Sequence, residues 1–125
     1  MRIHHVQVGM PAGGEHAARA FYAEGLGLAE VPKPVALAKR GGAWFRSPGG
    51  AEIHLGVEDP HRPPVKAHPA LAVETEAELE ELGARLAELG FDVDWSQRHN
   101  AEDFQRFHVR DPFGNRVEIV WPTGD

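Results

Sequence analysis

RSPGGAEIHLG, which runs from Arg46 to Gly56, returns along the chain as RDPFGNRVEIV, from Arg110 to Val120. The offset is 64 residues (110 − 46 = 64), and it aligns His54 with Glu118. Self-similarity at a fixed offset indicates a chain built from two copied modules.

A histidine also recurs at the head of each module. His5 precedes the β-like run VQV, and His68 precedes PALAV, at nearly the same offset (68 − 5 = 63). Each module therefore places one potential metal ligand near its start and another near its end.

Bulk properties limit the classes of protein that fit. The 125 residues carry a formal net charge of −6 and no cysteine. Without cysteine there are no disulfides or thiolate sites, so a metal must be held by nitrogen and oxygen. The negative charge argues against nucleic acid as a partner. No apolar run approaches the ~20 residues of a membrane span, so we expect no membrane partner and a cytoplasmic protein.

The first module is predicted to contain a strand, a helix and three further strands. IHHVQVGM begins it as a strand, with Val6 and Val8 on one face. EHAARAFYAEGLGL is predicted as a helix whose residues at helical spacing are Ala17, Ala20, Phe21 and Glu24. VALAKR, AWFRS and AEIHLGV are predicted as the three strands.

The second module repeats that order. HPALAV is a predicted strand, and Thr75 with Glu78 fits a capping box at the start of the clearest helix in the chain. The apolar stripe of that helix consists of Leu79, Leu82, Leu86 and Leu89, and Gly90 ends it. FDVDW, FQRFHVR and NRVEIVW are predicted as the last three strands.

These patterns predict an α+β fold. Two tandem βαβββ modules form a cupped, eight-stranded mixed sheet with the helices on its outer face. We expect a single domain over 1–125, with module one at 1–57, a linker containing three prolines at 58–67, and module two at 68–122.

Alternation along the strands assigns side chains to faces. The apolar residues pack on the helices, which leaves the residues between them on the polar, concave face. All four repeat-related residues are predicted on that face: His5, His54, His68 and Glu118. Imidazole and carboxylate suit zinc, nickel, iron or manganese, and two histidines with one carboxylate leave coordination sites open. His5, His68 and Glu118 supply that set, with His54 as a fourth ligand or a nearby base.

A pocket for a small-molecule substrate is predicted on the same face. His108 lies between the apolar Phe107 and Val109, and the repeat pairs it with Trp44. Trp44 would form the floor of the pocket. Its predicted edge consists of Arg46, Arg106 and Arg116, which suits a flat or apolar ligand with negative charge.

Nearly the whole chain resembles the vicinal oxygen chelate superfamily, which includes glyoxalase I, fosfomycin-resistance transferases, extradiol dioxygenases and bleomycin-resistance proteins. FY-x-x-x-LGL, at Phe21 to Leu28, and DP-x-GN-x-x-E, at Asp111 to Glu118, carry the resemblance. It implies metal positions at His5, His54, His68 and Glu118. Glyoxalase I has glutamate at the position of His54, and the dioxygenases have a tyrosine near the metal where this chain has His108.

Two functions follow from the resemblance. The first is a glyoxalase-like lyase or isomerase, or a dioxygenase-type enzyme, that binds vicinal oxygens of a small substrate to a divalent metal. In that enzyme Glu118, His54 and His108 are the catalytic candidates. The second is a metal-free protein that binds a drug or metabolite, as bleomycin-resistance proteins do. Exposed strand edges also predict a two-fold homodimer.

Overall fold

The computed structural model describes residues 1–124, which form two compact units. The first ends at Pro63 and the second begins at Pro64, inside the stretch predicted as the linker. Each unit has one four-stranded mixed sheet, and the order strand, helix, three strands recurs in both. The predicted α+β class and the repeated βαβββ order are therefore confirmed.

The first unit contains four strands and three short helical segments. Its elements are β1 (Val6–Met10), α1 (Glu15–Ala18) continuing as a π-helix (Arg19–Gly25), β2 (Ala29–Val31), a 3₁₀ helix (Val35–Arg40), β3 (Ala43–Arg46) and β4 (Glu52–Val57). The strands lie in the order β1-β4-β3-β2, with β1 parallel to β4 and the other pairs antiparallel.

The prediction of VALAKR as a strand is wrong. Val35–Arg40 forms a 3₁₀ helix, and the strand that pairs with β3 is the earlier segment Ala29–Val31. Pro34 lacks a backbone N–H and so breaks any ladder at the start of VALAKR. Val35 is 93% exposed, so its β-branched side chain has no sheet to pack against.

The first helix also differs from its predicted stripe. The buried residues are Ala18, Phe21, Tyr22 and Gly25, so only Phe21 of the predicted positions is buried. The predicted stripe assumes 3.6 residues per turn. A π-helix is wider, so it places different residues on its buried side. The Tyr22 ring stacks on Phe45 of β3 with centroids 5.5 Å apart, which anchors this helix to the sheet.

The second unit contains the other four strands and the long helix. Its elements are β5 (Ala70–Ala72), α2 (Glu76–Glu88), β6 (Val93–Asp94), β7 (Phe104–Arg110) and β8 (Arg116–Pro122). The strands lie in the order β5-β8-β7-β6, with β5 parallel to β8 and the rest antiparallel. This order repeats that of the first unit.

The capping prediction for α2 is confirmed, but the predicted apolar stripe is wrong at Leu89. The Thr75 hydroxyl accepts a hydrogen bond from the Glu78 amide at 3.1 Å, and the Glu78 carboxylate accepts one from the Glu74 amide at 3.0 Å. Leu79 and Leu86 are fully buried, whereas Leu89 is 45% exposed because the helix already ends at Glu88.

The DPFGN turn between β7 and β8 fixes which residues of these strands face each other. Asp111 Oδ1 accepts hydrogen bonds from the amides of Phe113 and Asn115, at 2.9 and 2.8 Å. Gly114 takes the positive φ of 84° that this turn needs. The resulting register makes His108 and Glu118 direct neighbours across the two strands.

The described helices are also short. None of them is long and apolar enough to cross a membrane.

Candidate metal centre

The two faces of the β7–β8 hairpin have different chemistry. One face is the apolar core of the second unit, with side chains 0–2% exposed: Phe107, Val109, Val117 and Ile119. The alternate residues Arg106, His108 and Glu118 share the opposite face. The sequence alternation predicted this division correctly.

His68, His108 and Glu118 form a cluster on this polar face, which we call the triad. His68 Nε2 lies 2.9 Å from Glu118 Oε1, and His108 Nε2 lies 3.4 Å from the same oxygen. One ligand atom from each residue lies within 4.8 Å of the other two. His108 and Glu118 are 4% and 6% exposed, so their donor atoms are largely shielded from water, whereas His68 is exposed.

The hydrogen bonds of His68 fix where its proton lies. Nδ1 lies 2.7 Å from the carbonyl oxygen of Lys66, and a carbonyl can only accept, so Nδ1 carries the hydrogen. In the neutral ring, Nε2 then directs a lone pair at the Glu118 carboxylate, which also offers only lone pairs. A proton or a metal ion must lie between them.

The triad fits a divalent metal ion by its donor chemistry and spacing. Zn–N and Zn–O bonds of about 2.0–2.2 Å in a tetrahedral site place neighbouring donors roughly 3.4 Å apart. His108 Nε2 lies at this distance from Glu118 Oε1, 3.4 Å, and His68 Nε2 lies nearer, at 2.9 Å. The Lys66 carbonyl supplies His68 with the outer hydrogen bond that metal-bound histidines usually make.

The charges around the triad favour the protonation states that a metal requires. Burial raises the pKa of the Glu118 carboxyl, but the His68 ring and the Arg106 guanidinium outweigh it and hold the pKa below its ordinary value. Burial lowers the pKa of the His108 imidazole, and the Arg116 guanidinium lowers it further. Glu118 is therefore a carboxylate and His108 a neutral ring at pH 7.

Arg106 connects the triad to the segment before β7. Its Nη1 lies 3.4 Å from Glu118 Oε2, on the side of the carboxylate away from the histidines. Its Nη2 donates to Asn100 Oδ1 at 2.8 Å and to Gln97 Oε1 at 3.2 Å. The donors of this predicted substrate-binding arginine are thus engaged within the protein, where they orient Glu118.

In the first unit, His54 lies between two other rings. Trp44 stacks on one side with centroids 3.8 Å apart and planes 2° from parallel, and His5 stacks at 4.0 Å and 13°. His54 is 3% exposed, and its Nε2 has no hydrogen-bond partner within residues 1–124. Burial lowers the pKa of its imidazole, and His5 adds to the effect, so the ring is neutral at pH 7.

Glu52, beside His54 on β4, is paired with the predicted substrate-binding residue Arg46. Arg46 Nη2 lies 3.0 Å from Glu52 Oε1. Burial raises the pKa of the Glu52 carboxyl, but Arg46 outweighs this effect and the pKa lies below its ordinary value. Glu52 is 8% exposed and His54 3%, because Arg46 and Trp44 lie against them.

Two of the predicted ligands belong to each unit. The structure brings His68 and Glu118 together with His108, which the sequence suggested as catalytic, whereas His5 and His54 stack on each other within the first unit. The sequence contains enough information to place His108 in this cluster. A DPFGN turn that pairs Arg110 with Arg116 sets His108 opposite Glu118.

A comparison with family models matches residues 2–119 to the Glyoxalase/Bleomycin resistance protein/Dioxygenase superfamily. The chain belongs to this superfamily. A search among curated proteins gave no significant match.

Solved structures of the superfamily share the fold along the whole chain. A glyoxalase family protein from Bacillus anthracis is 44% identical, with 98% of this chain and 95% of that chain covered and a TM-score of 0.87. A glyoxalase/dioxygenase from Nostoc punctiforme is 22% identical, with 97% and 90% covered and a TM-score of 0.76. The fosfomycin resistance protein FosX from Listeria monocytogenes is 15% identical, with 98% and 94% covered and a TM-score of 0.76. The last two similarities establish the fold alone.

Proposed function

We propose that the protein is a metal-dependent enzyme of the glyoxalase type, acting on a small substrate with vicinal oxygens. His68, His108 and Glu118 would hold the divalent ion, which is zinc, nickel, manganese or iron. The observation that carries the proposal is the approach of His68 Nε2 to Glu118 Oε1, two lone-pair donors 2.9 Å apart. Superfamily membership supports it as well.

A bound ion would supply Lewis acidity toward the substrate's oxygens. The residues of the chain supply the rest. Three protein ligands leave coordination positions open for a bidentate group. Arg106 holds the second oxygen of Glu118, and burial of His108 and Glu118 keeps competing water away from the donor atoms.

Two residues are candidates for moving a proton. Glu118 is one, since its carboxylate oxygens face both histidines and Arg106. His54 is the other, because its ring is neutral and its Nε2 lies 3.6 Å from the Glu52 carboxylate, which would stabilise the ring once it accepts a proton. His5 and His54 also stay candidates for further metal ligands, as the sequence predicted.

An activity screen with metal-loaded protein tests the proposal. The substrates are the hemithioacetal of methylglyoxal, for isomerisation, and catechol with oxygen, for ring cleavage. We expect turnover of one class that a chelator abolishes and that Glu118→Gln removes. Binding of metal without turnover of any compound with vicinal oxygens would contradict the enzymatic role.

The second candidate is a metal-free protein that binds a small molecule. It is favoured by the same contact, since a proton between His68 Nε2 and Glu118 would satisfy both groups as a metal ion would. Protein that takes up no divalent metal but binds a drug or metabolite would establish this alternative.

The homodimer and the cytoplasmic location stay predictions. Light scattering at micromolar concentration is expected to give the mass of two chains. The mass of one chain would refute the dimer.

A further inference from the structure

We propose that a polar cavity in the second unit binds a zwitterionic group of the substrate, an ammonium and an anionic group carried by one small molecule. The proposal names the substrate class of the enzyme proposed above. It depends on the proposed function in one respect only, namely that the ligand of the cavity is the substrate of the enzyme.

The cavity has a volume of about 350 Å³ and adjoins the triad at His108. Its lining residues are Asp92, Asp94, His108, Val109, Arg110 and Arg116. This volume suits a small metabolite rather than a large drug. The lining has no phenylalanine, tyrosine or tryptophan, so it offers no large apolar ring to an aromatic ligand.

Charges of both signs line this cavity: Asp92 and Asp94 at the β6 side, Arg116 on β8, and Arg110 on β7 between them. Asp94 belongs to β6, at the edge of the sheet, and Asp92 comes just before it. Arg116 belongs to β8, on the far side of β7, where it pairs with Arg110 in the strand register. Two strand spacings of about 4.8 Å each therefore separate the acidic wall from the backbone of Arg116.

These charges do not neutralise one another by contact. Arg116 and Asp92 form no hydrogen bond and no ion pair within 4.0 Å with any residue of 1–124. Asp94 accepts hydrogen bonds only from Ser96, whose backbone amide lies at 2.8 Å. Each wall thus keeps a charge that a ligand of the opposite sign can neutralise.

A buried donor lies at the junction of the cavity and the triad. His108 is 4% exposed, and its Nδ1 has no hydrogen-bond partner among the described residues. If Nε2 faces a metal, Nδ1 carries the hydrogen and needs an acceptor. The anionic group of a ligand held by Arg116 is such an acceptor, which would place that group beside the ligand oxygens bound at the triad.

Charge decides between a zwitterion and a neutral polyol. Hydroxyl groups could bond to both walls, but hydrogen bonds between ionised partners are roughly twice as strong as neutral ones. A ligand that carries only a negative charge would be repelled by Asp92 and Asp94. A ligand that carries only an ammonium group would be repelled by Arg116. Only a molecule with both charges is matched to both walls.

Binding to metal-free protein, measured by NMR titration in the presence of a chelator, tests this proposal apart from the enzyme's activity. The zwitterionic probes are glycine, β-alanine and γ-aminobutyrate, which differ in charge separation. The single-charge probes are butyrate and butylamine, and the neutral probe is threitol. We expect at least one zwitterion to bind about tenfold more tightly than every other probe, with shifts at Val109 and Arg116.

Variants locate the two charges. Arg116→Gln should reduce zwitterion affinity about tenfold, and so should the double variant Asp92→Asn with Asp94→Asn. Glu81→Gln on the exposed side of α2 and Arg62→Gln in the first unit change charge outside the cavity and should have no effect. Retained binding in the cavity variants would overturn the proposal.

The remaining outcomes are decisive as well. Equal affinity for all probes, preference for threitol, butyrate or butylamine, or no binding at 100 mM overturns the zwitterion site. A zwitterion that binds while the protein takes up no divalent metal upholds the site and rejects the proposed enzyme. Metal uptake without zwitterion binding rejects the zwitterion site and leaves the proposed enzyme in place.

Discussion

His54 and Glu118 occupy equivalent positions in the two modules but have different surroundings. His54 lies opposite Trp44 on β3, and Glu118 lies opposite His108 on β7, each 64 residues further on (118 − 54 = 64; 108 − 44 = 64). The first pair is an aromatic stack, and the second is part of the triad. The repeat thus preserves the backbone position and changes the chemistry.

This difference predicts separate roles for the two residues. His54→Ala should keep most of the metal, because His54 is not among the three clustered ligands, while turnover falls. His54→Glu restores the residue that glyoxalase I has here and should favour isomerisation. Metal titration followed by steady-state kinetics distinguishes the effects. If His54→Ala loses metal as completely as His68→Ala does, His54 is a ligand.

Arg106 should set the metal affinity without binding the metal. Arg106→Gln leaves Glu118 Oε2 free to rotate, and we expect metal affinity to fall about 10–100-fold, the usual effect of losing an outer hydrogen bond. Arg98→Gln is the matched control. Arg98 bonds to Glu76, Glu80 and Gln105, none of which belongs to the triad or bonds to Arg106, so its loss should lower the melting temperature and leave metal affinity unchanged. Equal metal affinities of wild type and Arg106→Gln would contradict the positioning role.

Acid should destabilise the metal-free protein in two steps. Folding lowers the pKa of His54 and His108, so below the ordinary value of about 6.5 the unfolded chain binds more protons than the folded one. The free energy of unfolding should fall from that pH toward the lower folded values. Glu52 and Glu118 also have lowered pKa values, so their contribution is present above about 4.5 and is lost below it.

Urea unfolding at a series of pH values, with chelator present, measures both steps. His108→Gln should weaken the first step and leave the second in place. A stability that stays constant or rises as the pH falls from about 7 to 5 would refute the effect of the buried histidines.

Gly83 should tolerate no side chain while Trp95 is present. A Cβ atom at Gly83, in the middle of α2, would lie 2.5 Å from Trp95 Cζ2. Alanine gains up to ~1 kcal/mol of helix propensity, but such overpacking typically costs 1–3 kcal/mol, so Gly83→Ala should lower the melting temperature. In a Trp95→Leu background the same change should raise it. Stabilisation in the wild-type background would show that the indole moves aside without cost.

The sequence predicted the second module better than the first, for physical reasons. Thr75 and Glu78 form local hydrogen bonds that any chain with this motif can make, and the turn at Asp111 closes through its own side chain. The 3₁₀ helix at Val35–Arg40 was missed because an apolar run gives no period that separates a strand from a short helix.

The triad could be predicted only in part. Alternation placed His68, His108 and Glu118 on one face, and the turn register brings two of them together. The role of Arg106 depends on where the segment with Gln97 and Asn100 returns to the sheet, which no local pattern indicates. Asp92, Asp94 and Arg116 likewise line one cavity because of the order of the strands, which no local pattern indicates.

Metal titration of wild type and His108→Ala, purified without chelator or nickel affinity resin, tests the central claim most directly. Each is incubated in turn with zinc, nickel, manganese and ferrous iron, with His99→Ala as a control on an exposed histidine. We predict about one equivalent of at least one ion in wild type and His99→Ala, and a loss in His108→Ala larger than the 10–100-fold of outer-shell changes. Less than about a tenth of an equivalent in wild type, or unchanged affinity in His108→Ala, would contradict a metal centre formed by His68, His108 and Glu118.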